Sequence, residues 1–265
     1  MTAISEDVLL QSRDGDVVVL TLNRPTKKNA LSFELRRQIT SAFRAFAHDP
    51  SLAAIVLTGA GDAFSAGVDL KELGGESGGS SATGSLAASE FDMVGAMRAC
   101  HVPIIGAVNG VAITGGFELA LACDVIYAST SARFADTHAR VGILPTWGMT
   151  LRLPRLIGMA RAKELSFGSQ FLDAATAERW GLVNRVFAPD ELLPAALALA
   201  NENAFADAPT VRSLKGLYDD ANDGGFTDGL AHESRTASAH MKAVKPADIA
   251  ARREAVQARS RAQLT

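Results

Sequence analysis

Thr114-Gly115-Gly116-Phe117-Glu118-Leu119-Ala120 sets two glycines at the start of an apolar helical run, with a carboxylate about one turn further on. The first backbone N–H groups of a helix have no intrahelical partner, so those of Gly115 and Gly116 can face an oxyanion or another anion. Glu118 is close enough to serve the same pocket as a proton-transfer group. Taken locally, a carboxylate that merely complements the helix dipole explains Glu118 better. A phosphate cradle fits poorly, because the segment is neither GxxxxGK[ST] nor GxGxxG.

Two further segments carry reactive side chains. One is Ala63-Phe64-Ser65-Ala66-Gly67-Val68-Asp69-Leu70-Lys71, just after a strand. The other is Phe134-Ala135-Asp136-Thr137-His138-Ala139-Arg140-Val141-Gly142-Ile143-Leu144-Pro145. The ordinary pKa of His138, about 6.5, suits general acid–base work; a histidine that only hydrogen-bonds within a polar wall is the equal alternative. Ser65, His138 and Asp136 can be written down as a hydrolase triad. Ser65 lacks a GxSxG elbow, however, and a two-residue spacing does not by itself place Asp136 on the imidazole Nδ1.

The elements around these segments follow from their apolar patterns. Asp16 to Leu22 (DVVVLTL) and Ala53 to Thr58 (AAIVLT) read as strands, and Ser32 to Ala47 as a helix with Ser32 as N-cap. A short helix-like VDLKEL precedes the Gly/Ser-rich Gly74 to Ser89, whose composition predicts a mobile loop. Pro103 to Val108 is a strand, Gly116 to Ala122 a helix and Asp124 to Ala128 a strand. Asp173 to Trp180 is a capped helix stopped by Gly181, and Leu182 to Phe187 one more strand. This alternation predicts an α/β core with parallel strands. From Asp190 onward only helix is predicted, over 190–206, 209–220, 226–242 and 246–259. No internal repeat is evident.

The 265 residues suit one large domain, or a domain with a helical appendix. At 48% hydrophobic and 21% charged they can bury a sizeable core. A net charge of -3 without a basic run argues against nucleic acid as a partner. Cys100 and Cys123 lie in apolar surroundings without metal-ligand spacing, which suggests two buried thiols and a reducing compartment. The acid-bearing start MTAISEDVLLQSRDGD does not resemble a signal or transit peptide, and no stretch approaches the roughly 20 apolar residues of a membrane span. A cytoplasmic protein with no membrane partner is expected.

The motifs resemble the crotonase (enoyl-CoA hydratase/isomerase) family. NRP…NAL at Asn23-Arg24-Pro25 and Asn29-Ala30-Leu31 is followed by IVLTG, FSAGVDLKEL, AVNGVAITGGFELALACD, RFADTHARVGILP and AERWGLVNRVF. They stand in family order and spacing, across about residues 10 to 260. The resemblance implies a ClpP/crotonase-like spiral of repeated ββα units over 1–205 and a helical trimerisation region over 206–265. It implies a homotrimer or a dimer of trimers. It also implies an acyl-CoA thioester substrate with no metal or resident cofactor, coenzyme A being part of that substrate.

Site residues carry over position by position. The N–H groups of Val68 and Gly115 match the pair that binds the thioester oxygen and stabilises an enolate. Ala66, Gly67, Asp69, Leu70 and Lys71 would line the CoA path together with Ala30 and Gly116, and Lys28 and Lys71 would either meet its phosphates or stay solvated. Glu118 matches the carboxylate that activates water. His138 stands where the family often has a second glutamate, and Asp136 could orient it or replace the missing carboxylate. Trp147 and Met149 could narrow the acyl pocket, although packing explains them better. Ala247 to Glu254 lacks the family's aromatic, and Arg252 or Arg253 would meet phosphate or, more simply, be solvated helix charges. The implied reaction is reversible addition of water to a 2-trans-enoyl-CoA, giving a 3-hydroxyacyl-CoA. Isomerisation, decarboxylation, C–C hydrolysis, or acyl-CoA binding without catalysis remain as alternatives.

Overall fold

The computed structural model describes residues 7–69, 72, 91–221 and 235–236. The expected Gly/Ser loop, the two final helices apart from the helical residues 235–236, and the Leu70, Lys71, Arg252 and Arg253 assignments lie outside these residues. The chain divides into two units, Met1–Ala208 and Pro209–Thr265.

The first unit is built on a six-stranded sheet. Its strands are β1 (Leu9–Asp14), β2 (Val17–Leu22), β3 (Ala54–Gly59), β5 (Ile104–Val108), β7 (Val125–Ser129) and β10 (Arg185–Phe187), adjacent in that order. Only β1 runs antiparallel to its neighbour; β2 through β10 are parallel. Strands covered on both faces are apolar on both, as AIVLTG in β3 shows. Alternate residues divide between two cores. Val18, Leu20, Ile55, Leu57 and Ile104 face a large core shared with helix α1 (Phe33–Phe46) and helix α2 (Met93–Arg98). Val17, Ala54, Val56, Ile105 and Ala107 face a smaller one closed by Leu192, Ala196 and Ala200 of a later helix spanning Leu192–Ala204.

Ser32 caps α1 as expected, accepting from Leu35 N at 3.3 Å. Its buried face also carries Arg36, 1% exposed and stacked between the rings of Phe33 and Phe91. The expected helix-like VDLKEL is corrected at its start. Val68 forms a parallel bridge with Leu31 instead, because the chain must pair with the 28–31 turn before it can coil.

A smaller sheet is invisible to simple patterning because its strands have only two or three residues. Strands β4 (Ala63–Ser65), β6 (Val111–Ile113) and β8 (Arg133–Ala135) are parallel neighbours, and β9 (Leu172–Asp173) closes the edge antiparallel to β8. Its consequence for function is direct. The three segments with reactive side chains are those that leave the C-terminal ends of β4, β6 and β8, so three adjacent strands deliver them to one place. Further helices are α3 (Gly115–Leu121), α4 (His138–Val141), α5 (Met149–Ile157), α6 (Met159–Gly168), α7 (Ala174–Trp180) and α8 (Leu192–Ala204). Asp173 caps α7 and Gly181, at φ +82, ends it, both as expected. In the second unit the described part is chiefly helix α9 (Ala208–Ala221). Among the described residues no helix is long and apolar enough to cross a membrane.

Asn29 ties the turn after β2 to the chain entering β4. Its Oδ1 accepts from Arg24 N at 2.8 Å, and its Nδ2 donates to the carbonyls of Ala60 at 2.9 Å and Ala63 at 2.7 Å. The side chain is fully buried, so truncation strands Arg24 N and Ala60 O and leaves Ala63 O only the longer bond from Asn109 Nδ2 at 3.3 Å. Asn29→Ala is expected to cost about 3 kcal/mol. A thermal melt lowered by roughly 6–12 °C would show it.

Candidate active site

Two backbone N–H groups converge first. Leu31 N donates to Gly67 O at 2.8 Å, and Asp69 N donates to Leu31 O at 3.3 Å. That parallel bridge turns the N–H of Val68, the residue between them, to the opposite side. Gly67 brings it close to the segment after β6. A Cβ at Gly67 would sit 2.7 Å from Ile113 O and 3.2 Å from Gly115 N, and φ is +89. Only glycine meets both demands. A Cβ on Gly115 would lie 3.5 Å from Val68 N and 2.8 Å from Trp147 Cζ3, so this position is closed to larger residues as well. Neither N–H donates to another described residue. Both residues line a cavity of about 60 Å³ together with Ala66, Glu118 and His138.

Glu118, 2% exposed, projects from α3. Its Oε1 accepts from Trp147 N at 2.8 Å and Met149 N at 3.3 Å. Its Oε2 lies 3.5 Å from His138 Nε2. On the far side of the ring, Asp136 Oδ1 is 2.6 Å from Nδ1 and also accepts from His138 N at 3.1 Å. Ser166 of α6 donates to Asp136 Oδ2 at 2.6 Å. One imidazole is thus held between two carboxylates.

Burial opposes a charged imidazole, but the hydrogen bonds and charges of Asp136 and Glu118 outweigh it and raise His138 from 6.5 to about 9. Burial would likewise push the Asp136 carboxyl up; the hydrogen bonds from His138 and Ser166 hold it below the ordinary range instead. Near neutral pH the arrangement is therefore an imidazolium flanked by carboxylates. It can donate a proton from Nε2 at the cavity and accept one at Glu118 beside it.

A family model described as enoyl-CoA hydratase/isomerase matches residues 12–259. The chain belongs to that family. The probable enoyl-CoA hydratase of Mycobacterium tuberculosis is 38% identical over 229 residues, 86% of this chain and 88% of that one. The short-chain-enoyl-CoA hydratase of Clostridium acetobutylicum is 37% identical over 214 residues, 78% of each chain. Among solved structures, the enoyl-CoA hydratase of Bacillus anthracis superposes with a TM-score of 0.85 at 31% identity, over 96% of each chain. The α/β architecture is the crotonase fold expected from the motifs.

Set in this crotonase fold, the expected site residues separate into a wall and its supports. Ala66, Val68, Gly115, Glu118 and His138 line the cavity, and Asp136 stands behind His138. Gly116 does not line it: a Cβ there would collide with Ser65 O, so its glycine serves packing. Asp69 is ion-paired at 3.1 Å with Arg24, which also donates to Ala30 O at 2.6 Å. Asp69 and Ala30 thus brace the Val68 segment. The Lys28 ammonium pairs with Asp62, and both side chains are exposed.

The hydrolase triad fails. Ser65 Oγ donates to Asn29 O at 2.9 Å and accepts from Gly67 N, while His138 Nε2 faces Glu118. Trp147 packs, as expected, yet it also lines the cavity, and its N–H holds Glu118. Ser166, Thr114 and Thr137 were missed. Nothing in the sequence singles out Ser166, whereas a threonine directly before Gly115-Gly116 was a visible oddity.

A folded pKa of about 9 lies above the ordinary 6.5 of this family member's His138. The stabilisation it contributes is therefore complete below pH 6.5 and is lost as pH rises through about 9. Urea midpoints of the wild type should fall across that window. In His138→Gln the dependence should flatten.

Proposed function

We propose that the protein catalyses reversible syn addition of water to a 2-trans-enoyl-CoA, giving a 3-hydroxyacyl-CoA. The observation that carries the reading is the 3.5 Å approach of Glu118 Oε2 to His138 Nε2, beside the Val68 and Gly115 N–H groups. The thioester oxygen accepts from Val68 N–H and Gly115 N–H. Such donors are each worth about 3 kcal/mol to the transition state. Glu118 removes a proton from water as the oxygen attacks Cβ, and the π electrons move to the thioester oxygen as an enolate. The enolate collapses and takes the Nε2 proton of His138 at Cα. Water thus contributes OH to Cβ, and one proton passes to each of Glu118 and Cα.

The spent pair is a protonated Glu118 beside a neutral His138. A proton moving across the gap between them restores the starting state without help from solvent. Because the two groups adjoin, both additions occur on one face of the double bond, which makes the addition syn. Asp136 holds Nδ1 and supports the imidazolium, and Ser166 holds Asp136. The thioester itself makes Cα acidic and Cβ electrophilic, so the reaction needs no metal or resident cofactor.

In this reading the protein is cytoplasmic. Subunits associate through the helical second unit into a trimer or a pair of trimers, and Tyr218 on α9, 74% exposed, supports an interface there.

The test is loss of the conjugated enone absorbance of crotonyl-CoA. Wild type is expected to turn it over, with kcat/KM falling above about pH 9 as His138 loses its proton. Glu118→Gln should lower kcat by roughly 100-fold or more with little change in KM, and His138→Gln should lose the alkaline limb along with most of its rate. Binding of CoA thioesters without turnover of crotonyl-CoA would overturn the hydratase reading.

A further inference from the structure

Thr114 occupies backbone that a β-branched residue rarely adopts, with φ 52 and ψ -110. Glycine would sit there without strain, so the threonine side chain must return something for its cost. Its hydroxyl meets another. Strands β6 and β8 pair Ile113 with Ala135, and Thr114 N donates to Ala135 O at 2.8 Å, which carries the register forward to the next segment. Thr114 Oγ1 consequently lies 2.5 Å from Thr137 Oγ1 and accepts from Thr137 N at 3.2 Å. Both residues line the cavity with Gly115, Glu118 and His138.

Counting protons shows what the pair offers. Two hydroxyls carry two protons, and their mutual hydrogen bond uses one, whichever oxygen donates. The second has no acceptor among the described residues. Thr114 is 8% exposed, Thr137 is half-buried, and both line the cavity, so this proton is available to a ligand held there. Thr146 also lines the cavity, but its side chain is exposed and solvent satisfies it.

The acceptor can be named by elimination. The thioester oxygen already has the Val68 and Gly115 N–H groups. An unsubstituted enoyl chain has no other acceptor, and Val141, Ile143 and Leu144 give the rest of the wall an apolar character. The remaining oxygen is the one that is added. The Glu118 carboxylate accepts from that water, and the Nε2 proton of His138 is the one delivered to Cα. A hydroxyl donor beside them orients the oxygen while leaving a second lone pair for Cβ.

We propose that the Thr114–Thr137 hydroxyl pair binds the oxygen added at Cβ: the reactant water in one direction and the 3-hydroxyl of the product in the other. The assignment rests on the hydratase reading for the rate of reaction, but its binding part can be measured without turnover.

The readout is the ratio of two affinities, for 3-hydroxybutanoyl-CoA and for butanoyl-CoA, measured by calorimetry. The Thr114→Gly/Thr137→Val double variant is expected to lose about tenfold of the wild-type preference for the hydroxylated ligand, one hydrogen bond's worth, with butanoyl-CoA affinity unchanged. Each single variant leaves one hydroxyl with an uncommitted proton, so each should keep most of the preference, and Thr137→Ser should keep all of it. A role confined to packing predicts none of this pattern. Thr114→Gly/Thr137→Ala is the second variant should valine not fit. An unchanged ratio in a folded double variant overturns the proposal. A ratio that falls in a protein unable to hydrate crotonyl-CoA leaves the oxygen site standing and removes the hydratase reading instead.

Discussion

Two carboxylates, Asp136 and Glu118, are each only 2% exposed, and they lie on either side of one imidazole. An anion taken out of water must find donors or a cation, or it gives up its charge. Here the requirement is met three ways at once: by the His138 ring, by the Ser166 hydroxyl on Asp136, and by the Trp147 and Met149 N–H groups on Glu118. These partners come from three separate stretches of the chain, at 138, at 147–149 and at 166. Helices α3, α4 and α6 and the loop into α5 are therefore constrained relative to one another by a single charge arrangement. The arrangement also stores a transferable proton beside an acceptor, which is the state from which water can be added to an activated double bond.

Around that charge centre the backbone does the rest, through close approaches that tolerate no Cβ. Gly67 against Ile113 O and Gly116 against Ser65 O let the ends of β4 and β6 touch. The Val68 and Gly115 N–H groups then stand side by side, although they are nearly fifty residues apart in the chain. The supports of this geometry are polar but not catalytic: Asn29 holds the turn, and Arg24 joins Asp69 to Ala30 O. Thr114 is the exception to glycine economy, keeping a strained backbone and a hydroxyl where strain could have been avoided.

Much of the larger architecture was legible because it is written in local periodicity. The β-branched runs of β2, β3, β5 and β7, the amphipathic α1 with its Ser32 cap, and the Asp173 and Gly181 ends of α7 all follow from neighbouring residues. The small sheet was not legible. Strands as short as Val111–Ile113 have no measurable period, and only their pairing makes them strands. Motif position says which residues surround a site, not which way each side chain turns, so the contacts of Arg24 with Asp69 and with Ala30 O were not legible. Ser65 fails as a nucleophile for the same reason: its hydroxyl is consumed by Asn29 O.

The sequence by itself determined the family, the α/β alternation and the identity of the wall: Val68, Gly115, Glu118 and His138 were named before any pairing was known. Gly115 and Glu118 follow from residue type and short spacing, and Val68 and His138 from the resemblance of the motifs to the family, all of which a linear pattern carries. Only the tertiary structure decided that Asp136 takes Nδ1 and Glu118 faces Nε2, that Ser166, 30 residues away, completes the chain, and that Thr114 meets Thr137 across 23. These are contacts between strand ends and helices brought together by the order of β4, β6 and β8. That order is fixed by burial and hydrogen bonding summed over the whole unit, and no local segment contains it.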